Sequence, residues 1–439
     1  MSESRFKQAE MGKIPVDWNV VLLKDACSKI GSGITPRGAE KVYKEKGVAL
    51  IRSQNVLNNR FVSDGLVYIG KDIAKEMENV EVQKEDVLLN ITGDSVARCC
   101  TVPENVLPAR VNQHVSIIRT DKQRLNPIFL RYYLTSKKMQ DHMLSLAQSG
   151  GTRNALTKGM IENFAVPRPD IREQEAIAST LLKFDLKMAL NENMNKSLEA
   201  VGQAVFKRWF VDFEFPNEEG KPYKSSGGEM IYDEMLDKEI PAGWKVQPID
   251  EIADFLNGLA LQRFPARDGE QYLPVIKIRE LRQGITESSD RANLDVPQEY
   301  IVNDGDILFS WSGSLEAVIW GFDKGALNQH LFKVTSSKYP KWFFYYWIIH
   351  FLPEYRQIAA DKATTMGHIQ RHHLTASQVT IPDGKTLGRM DKLLGPVLEK
   401  ITKTKVEARI LAEIRDLLLP KLMSGKIRVP VSKADAEAL

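Results

Sequence analysis

At 439 residues, 43% hydrophobic and 27% charged, the chain has the composition of an ordinary globular protein and the length for two or three domains. Its net charge of +3 is too weak to identify a nucleic-acid binder, and no apolar run is long enough for a membrane span. Three cysteines, Cys27, Cys99 and Cys100, offer neither a disulfide framework nor a spaced metal set, so a reducing cytoplasm is expected.

From the N-terminus, Lys7, Glu10 and Lys13 leave no signal-peptide core. Ile14-Pro15-Val16-Asp17-Trp18 follows and returns as Ile240-Pro241-Ala242-Gly243-Trp244, an offset of 226. Asp86-Val87-Leu88-Leu89 answers Asp306-Ile307-Leu308-Phe309 at 220, and Asn112-Gln113-His114 answers Asn328-Gln329-His330 at 216. Two copies are too few for a solenoid. They imply two related units with near twofold symmetry, a symmetry that duplex DNA shares.

Val87 to Thr92 and Val115 to Arg119 predict strands, with Ile307 to Trp311 and Leu331 to Val334 as counterparts. Asn126-Pro127 and Tyr339-Pro340 each open an aromatic helix that packs on the sheet. After Pro169 no proline interrupts the chain until Pro216, and apolar residues recur at heptad-like spacing: Ile177, Leu181, Phe184, Met188, Leu198, Val201 and Val205. Roughly 40 helical residues make a rod of about 60 Å. The stripe recurs at an offset of 213 as Met390, Leu394, Val397, Ile401, Leu411, Ile414 and Leu418. An antiparallel helix pair that holds two globules apart is the economical arrangement. Gly395-Pro396 marks a start or a kink in the second helix.

The predicted fold class is α/β (α+β). Its segments are a globular domain at 1–169, a helical spacer at 170–213, a loosely structured connector at 214–239, a second globular domain at 240–384, a second spacer at 385–428 and a tail at 429–439. The connector carries eight acidic residues against three lysines, a local −5 that leaves +8 for the rest.

Enzyme motifs fail on inspection. Asn126-Pro127-Ile128-Phe129 lacks the second proline of an adenine-methyltransferase loop, and no glycine-rich loop suits S-adenosylmethionine. Asp212 with Glu219-Gly220-Lys221 superficially fits a nuclease but lies in the polar connector. His368, His372 and His373 lack the glutamate of a zinc protease, and Ser424-Gly425-Lys426 lacks the earlier glycine of a nucleotide loop.

Binding residues are better represented. Ile51 to Arg60 concentrates side chains able to read base edges, namely Arg52, Gln54, Asn55 and Arg60, and Lys277, Arg279 and Arg282 stand at the corresponding place. Loops add Thr35, Arg37, Arg98, Arg110, Arg153, Asn154 and Lys158 in the first half. In the second they add Arg263, Arg267, Trp311, Ser312, Arg371 and His372.

With these signatures the chain resembles the specificity (S) subunits of type I restriction-modification systems. The resemblance rests on the Ile-Pro-x-x-Trp entry to each half, the Gly33-Ile34-Thr35-Pro36 loop and the Arg172-Glu173-Gln174-Glu175-Ala176-Ile177 helix start. Phe206-Lys207-Arg208-Trp209-Phe210-Val211-Asp212-Phe213 and the ending Arg415-Asp416-Leu417-Leu418-Leu419-Pro420-Lys421-Leu422-Met423-Ser424-Gly425-Lys426-Ile427 extend it over nearly the whole chain. Thr386-Leu387 and Leu259-Ala260 depart from the pattern at two junctions.

The resemblance implies two target-recognition domains that read the halves of an asymmetric, bipartite double-stranded DNA sequence, with the helices as ruler. It implies docking of two modification subunits on those helices, for which Ile177, Leu181, Phe184, Met188, Leu198, Val205, Leu394, Ile401, Leu411 and Leu418 are the candidates. Restriction subunits join through the complex. S-adenosylmethionine, ATP and Mg²⁺ belong to those partners; this chain is expected to bind no cofactor or metal and to be non-catalytic by itself. A self-contained DNA methyltransferase or nuclease, and a helical scaffold unrelated to DNA, are the alternatives.

Overall fold

The computed structural model describes residues 6–149, 154–361 and 367–430. The chain divides into two compact units, Met1–Leu186 with Ala412–Leu439, and Lys187–Leu411. These bounds differ from the six expected segments. Neither long helix is a separate spacer domain, because its apolar residues complete the cores of the units.

In the first unit an antiparallel sheet runs in the order Cys99–Thr101, Val87–Asn90, Val115–Thr120, Cys27–Ser32. A second sheet runs Val67–Ile69, Val48–Ile51, Ala109–Val111, Glu81–Val82, with the middle pair parallel. Val87 and Leu89 face one core and Leu88 another, which is why this strand is an unbroken apolar run instead of an alternating one. Asn126 caps the helix Pro127–Thr135, its Oδ1 accepting from the Ile128 and Phe129 amides at 2.9 Å.

The second unit repeats this plan strand for strand. One sheet is Asp254–Asn257, Leu331–Thr335, Ile307–Ser310, Ala317–Ile319; the other is Arg291–Ala292, Leu273–Ile276, Gly325–Leu327, Ile301–Val302, again with its middle pair parallel. The predicted strands and aromatic helices are present, the second helix as Lys341–Asp361.

The first long helix, Ile171–Phe206, ends in a π-helical turn, Lys207–Val211. The second, Gly384–Met423, neither starts nor breaks at Gly395-Pro396. Pro396 is exposed, so its missing N–H forfeits a bond on the wet side of the helix. The helices run antiparallel where they meet within a unit. In the second unit Asn191 Nδ2 donates to Glu407 Oε2 at 2.8 Å and Thr404 Oγ1 donates to Asn195 Oδ1; in the first, Arg415 donates to Asp185 at 2.7 Å.

The helix stripe is corrected in its role. Ile177 and Leu181 lie in the core of the first unit with Leu418 packed on it, and Leu394 and Ile401 lie in that of the second with Leu198 and Val205 packed on it. Phe184, Met188 and Leu411 are partly buried. A heptad pattern says which face is apolar, not what covers it, and each unit's own sheets and helices cover most of this one. Val201 and Ile414 of the stripe remain exposed, as do Leu186, Leu190, Leu393, Ile410 and Leu417 beside it.

The connector is also corrected. Phe213 and Phe215 are buried against Trp244, Tyr223 stacks on Phe215 at 4.6 Å, and Met230–Asp233 pairs with Lys238–Pro241 as a hairpin. Three aromatics supply a core that the Gly, Pro and charge content conceals. No helix among the described residues is long and apolar enough to cross a membrane.

Candidate nucleic-acid interface

In both units the residue that follows a buried strand must turn, and the turn is built on a buried polar side chain. Asn55 accepts from the Arg52 amide at 3.0 Å and donates to the Val62 and Asp64 carbonyls. Glu280, at an offset of 225, accepts from the Lys277 amide at 3.1 Å and from Arg279 and Ser289. Both anchors are fully buried.

Asn55 is thereby corrected from a base reader to the support of the loop, since its polar groups are spent inside. Arg110 is corrected likewise: it is buried, with Nε on the Ala74 carbonyl at 3.1 Å and Nη1 on Glu81 at 3.0 Å. Glu280 was missed by sequence reasoning, although the Lys277-to-Glu280 spacing is that of a capping box.

The anchors present unlike tips. Gln54 is exposed and touches the Gly65 carbonyl at 3.2 Å, next to Arg52, which donates to the same oxygen at 2.6 Å and lies 5.6 Å over the Tyr43 ring. At the matching place Arg279 is about half exposed, donating to Glu280 and to the Ser288 carbonyl. Lys277 pairs with Asp290 and Arg282 with Glu316, whose carboxylate holds the Arg282 guanidinium above its usual range. A cleft of about 370 Å³ beside Gly313 is lined by Arg282 and Arg356.

A second cluster in each unit surrounds the repeated Asn-Gln-His. Thr35 Oγ1 donates to Gln113 Oε1 at 2.6 Å, and exposed Asn154 accepts the Gly93 amide with its backbone carbonyl. Ser312 is buried and Trp311 half-buried, Trp311 Nε1 donating to Asn257 at 2.8 Å. Arg371 donates to the Phe255 carbonyl at 3.2 Å and lies 5.8 Å over Phe332. His372 is exposed, its ring 3.9 Å from that of His373.

The remaining candidates are scattered. Arg37, Arg60, Arg98 and Arg263 are exposed, Lys158 meets Glu162 at 3.5 Å, and Arg267 meets Glu270 at 3.9 Å. Arg153 lies outside the described residues. Gln113, His114, Gln329 and His330 belong to the repeated Asn-Gln-His, and that repetition is the signal in the sequence that marks them.

Two like scaffolds with unlike exposed tips suit recognition of two different surfaces. The model of the type I restriction modification DNA specificity domain matches residues 15–200 and again 241–416, the same duplication that the strand order shows. The chain belongs to this family. DNA target recognition is the role of this family. It is similar to the specificity subunit of the type I restriction enzyme MjaIX of Methanocaldococcus jannaschii, 29% identical over 438 residues and covering 97% of each chain. It is also similar to the HindI specificity subunit of Haemophilus influenzae, 22% identical over 470 residues, covering 94% of this chain and 100% of that one. Among solved structures, the type I restriction-modification S subunit of M. genitalium shares the fold with a TM-score of 0.54 at 14% identity, over 92% of this chain and 96% of that one.

Proposed function

We propose that this specificity subunit reads an asymmetric, two-part sequence of double-stranded DNA, one part with each unit, and carries no chemistry of its own. The observation that carries this reading is the exchange of exposed tips on equivalent anchors, Gln54 over Asn55 and Arg279 over Glu280. Glutamine suits the adenine edge and arginine the guanine edge, so equivalent loops would specify different words. Phosphate contacts from arginine and lysine would provide most of the affinity and make it fall with salt.

Modification subunits would dock on the outward faces of the long helices, where Leu186 and Leu190 on one and Ile410, Ile414 and Leu417 on the other stand exposed at helical spacing. S-adenosylmethionine, ATP and Mg²⁺ would be bound by the modification subunits and by the restriction subunits that join through them.

Methylome sequencing of cells carrying Gln54→Ala or Arg279→Ala, each with the modification subunit, tests the reading. Each variant is expected to relax a different half of the methylated sequence; relaxation of the same half by both would overturn it. Methylation of DNA by the purified chain alone would overturn the non-catalytic assignment.

A further inference from the structure

The two units differ where they would read, yet one exposed polar corner is duplicated nearly bond for bond. Gly33 donates its amide to Val115 O at 2.9 Å and Gly258 donates to Leu331 O at 3.0 Å. A Cβ on either glycine would fall 2.0 Å from Val111 O or 2.3 Å from Asn328 O, so only glycine admits the neighbouring strand there. Asn112 Oδ1 accepts the His114 amide at 3.1 Å, and Asn328 Oδ1 accepts the His330 amide at 3.3 Å. His114 Nδ1 meets Thr92 Oγ1 at 2.6 Å; His330 Nδ1 meets Ser312 Oγ at 3.0 Å. Gln113 Nε2 lies 3.2 Å from His114 Nε2, and Gln329 Nε2 lies 3.4 Å from His330 Nε2.

The hydrogen positions follow from chemistry. An amide nitrogen can only donate, so each imidazole Nε2 accepts and each Nδ1 carries the proton toward the hydroxyl. Among the described residues that uses one of the two N–H groups of each glutamine and leaves the other for a ligand. The glutamine adds nothing that the turn requires, since asparagine and histidine already close it. Nor does the Thr35 contact explain its retention, because Ala260 stands at that place in the second unit. Gln113 is exposed and Gln329 half-exposed.

A side chain that reads bases has to differ between two different words, as Gln54 and Arg279 do. A group that is the same in both units faces something that is the same at both half-sites. We infer that Gln113 and Gln329, held by His114 and His330, are a matched pair of neutral donors to the sugar–phosphate backbone of the DNA, one per half-site. Backbone contacts of this kind set register without carrying sequence. The inference rests on the two-word reading above.

The test uses the chain assembled with its modification subunits and titrates two duplexes over a range of salt. One duplex carries the methylated sequence and the other a scrambled one. Gln113→Ala and Gln329→Ala are each expected to weaken binding to both duplexes by about tenfold, and the double variant by about a hundredfold. The recognised sequence and the melting temperature stay unchanged. So does the slope of log affinity against log salt, because a neutral donor displaces no counterion. Loss of preference at a single base pair would overturn the inference in favour of base reading. Unaltered affinity, or weakening that tracks a lower melting temperature, would overturn it in favour of a structural corner. A wild-type complex without preference for the methylated sequence would overturn the parent reading as well, and is seen without any variant.

Discussion

Glu173 accepts the Trp18 indole N–H at 3.1 Å and the Arg428 guanidinium at 2.8 Å, and Arg428 also meets Asp17 at 2.8 Å and lies 5.8 Å over the Trp18 ring. On the helix offset of 213, Phe215 occupies the place of Arg428 and Thr386 that of Glu173; on the entry offset of 226, Gly243 replaces Asp17. Phe215 stacks on Trp244 at 5.0 Å. A tryptophan covered by a cation needs acids around it, whereas one covered by a phenyl ring needs none, so the departure at Thr386 is one part of a concerted exchange. Arg428→Phe alone is expected to cost about 2 kcal/mol by leaving buried Glu173 short of a partner, and Glu173→Gln added to it to restore a large part. A double-mutant cycle by denaturant unfolding checks this; additive costs would contradict it. The Arg428 hydrogen bond holds the Asp17 carboxyl below its usual range. That contribution is therefore complete above the ordinary carboxylate pKa, about 4, and lost as pH falls below it through the folded value. Acid unfolding of Arg428→Phe should accordingly show a shallower pH dependence below about pH 4 than the wild type. At the reading loop, Asn55→Ala should cost about 1–3 kcal/mol through the Val62 and Asp64 carbonyls it deserts, whereas Gln54→Ala should stay within about 0.5 kcal/mol. Asn55 and Gln54 look equally like readers in the sequence, because residue type carries no information on which neighbour points inward.

The long helices were legible from spacing and from the absence of proline, and so were the strands around Val87 and Val115. What covers the helices was not. Gly202 shows why: a Cβ there would fall 1.9 Å from Tyr346 Oη, so the first long helix approaches the aromatic helix as closely as a glycine allows. Tyr346 Oη is buried with no hydrogen-bond partner among the described residues. Gly202→Ala should therefore destabilise the second unit by about 1–3 kcal/mol, and Tyr346→Phe, which removes the oxygen in the way, should recover part of it. Thermal unfolding of the single and double variants decides; an equal loss with and without the tyrosine hydroxyl would show that the contact is not the cause. Glycine is a poor helix former, and nothing local in the sequence marks the tyrosine opposite Gly202. Pro396 was read as a start or kink for an equally local reason, and the continuous helix shows that packing of Leu394 and Ile401 on either side outweighs one missing hydrogen bond.

At the scale of the molecule, the first unit draws on both ends of the described chain. Leu419, Leu422 and Met423 belong to the same core as Ile14, Trp18 and Ile177, and Gly425, at φ +67°, ends the helix close against Pro15 and Trp18. Truncation after Leu411 removes these residues. Because each buried leucine contributes about 2–5 kcal/mol, the first unit is expected to unfold outright while the second keeps its transition. Scanning calorimetry with limited proteolysis checks it, and retention of both transitions would contradict it. The repeat, the strands, the two helices and the kinship with specificity subunits were determined by the sequence alone, because apolar period, turn residues and repeated motifs are local properties of the chain. Only the tertiary structure decided that Asn55, Glu280 and Arg110 face inward, that most of the heptad stripe closes the units' own cores, and that one glutamine corner is built twice. Burial of Arg110, cover of the stripe and the repeated corner depend on which distant segment lies opposite, whereas Asn55 and Glu280 turn inward onto groups within ten residues once their loops have folded back; a one-dimensional pattern contains neither.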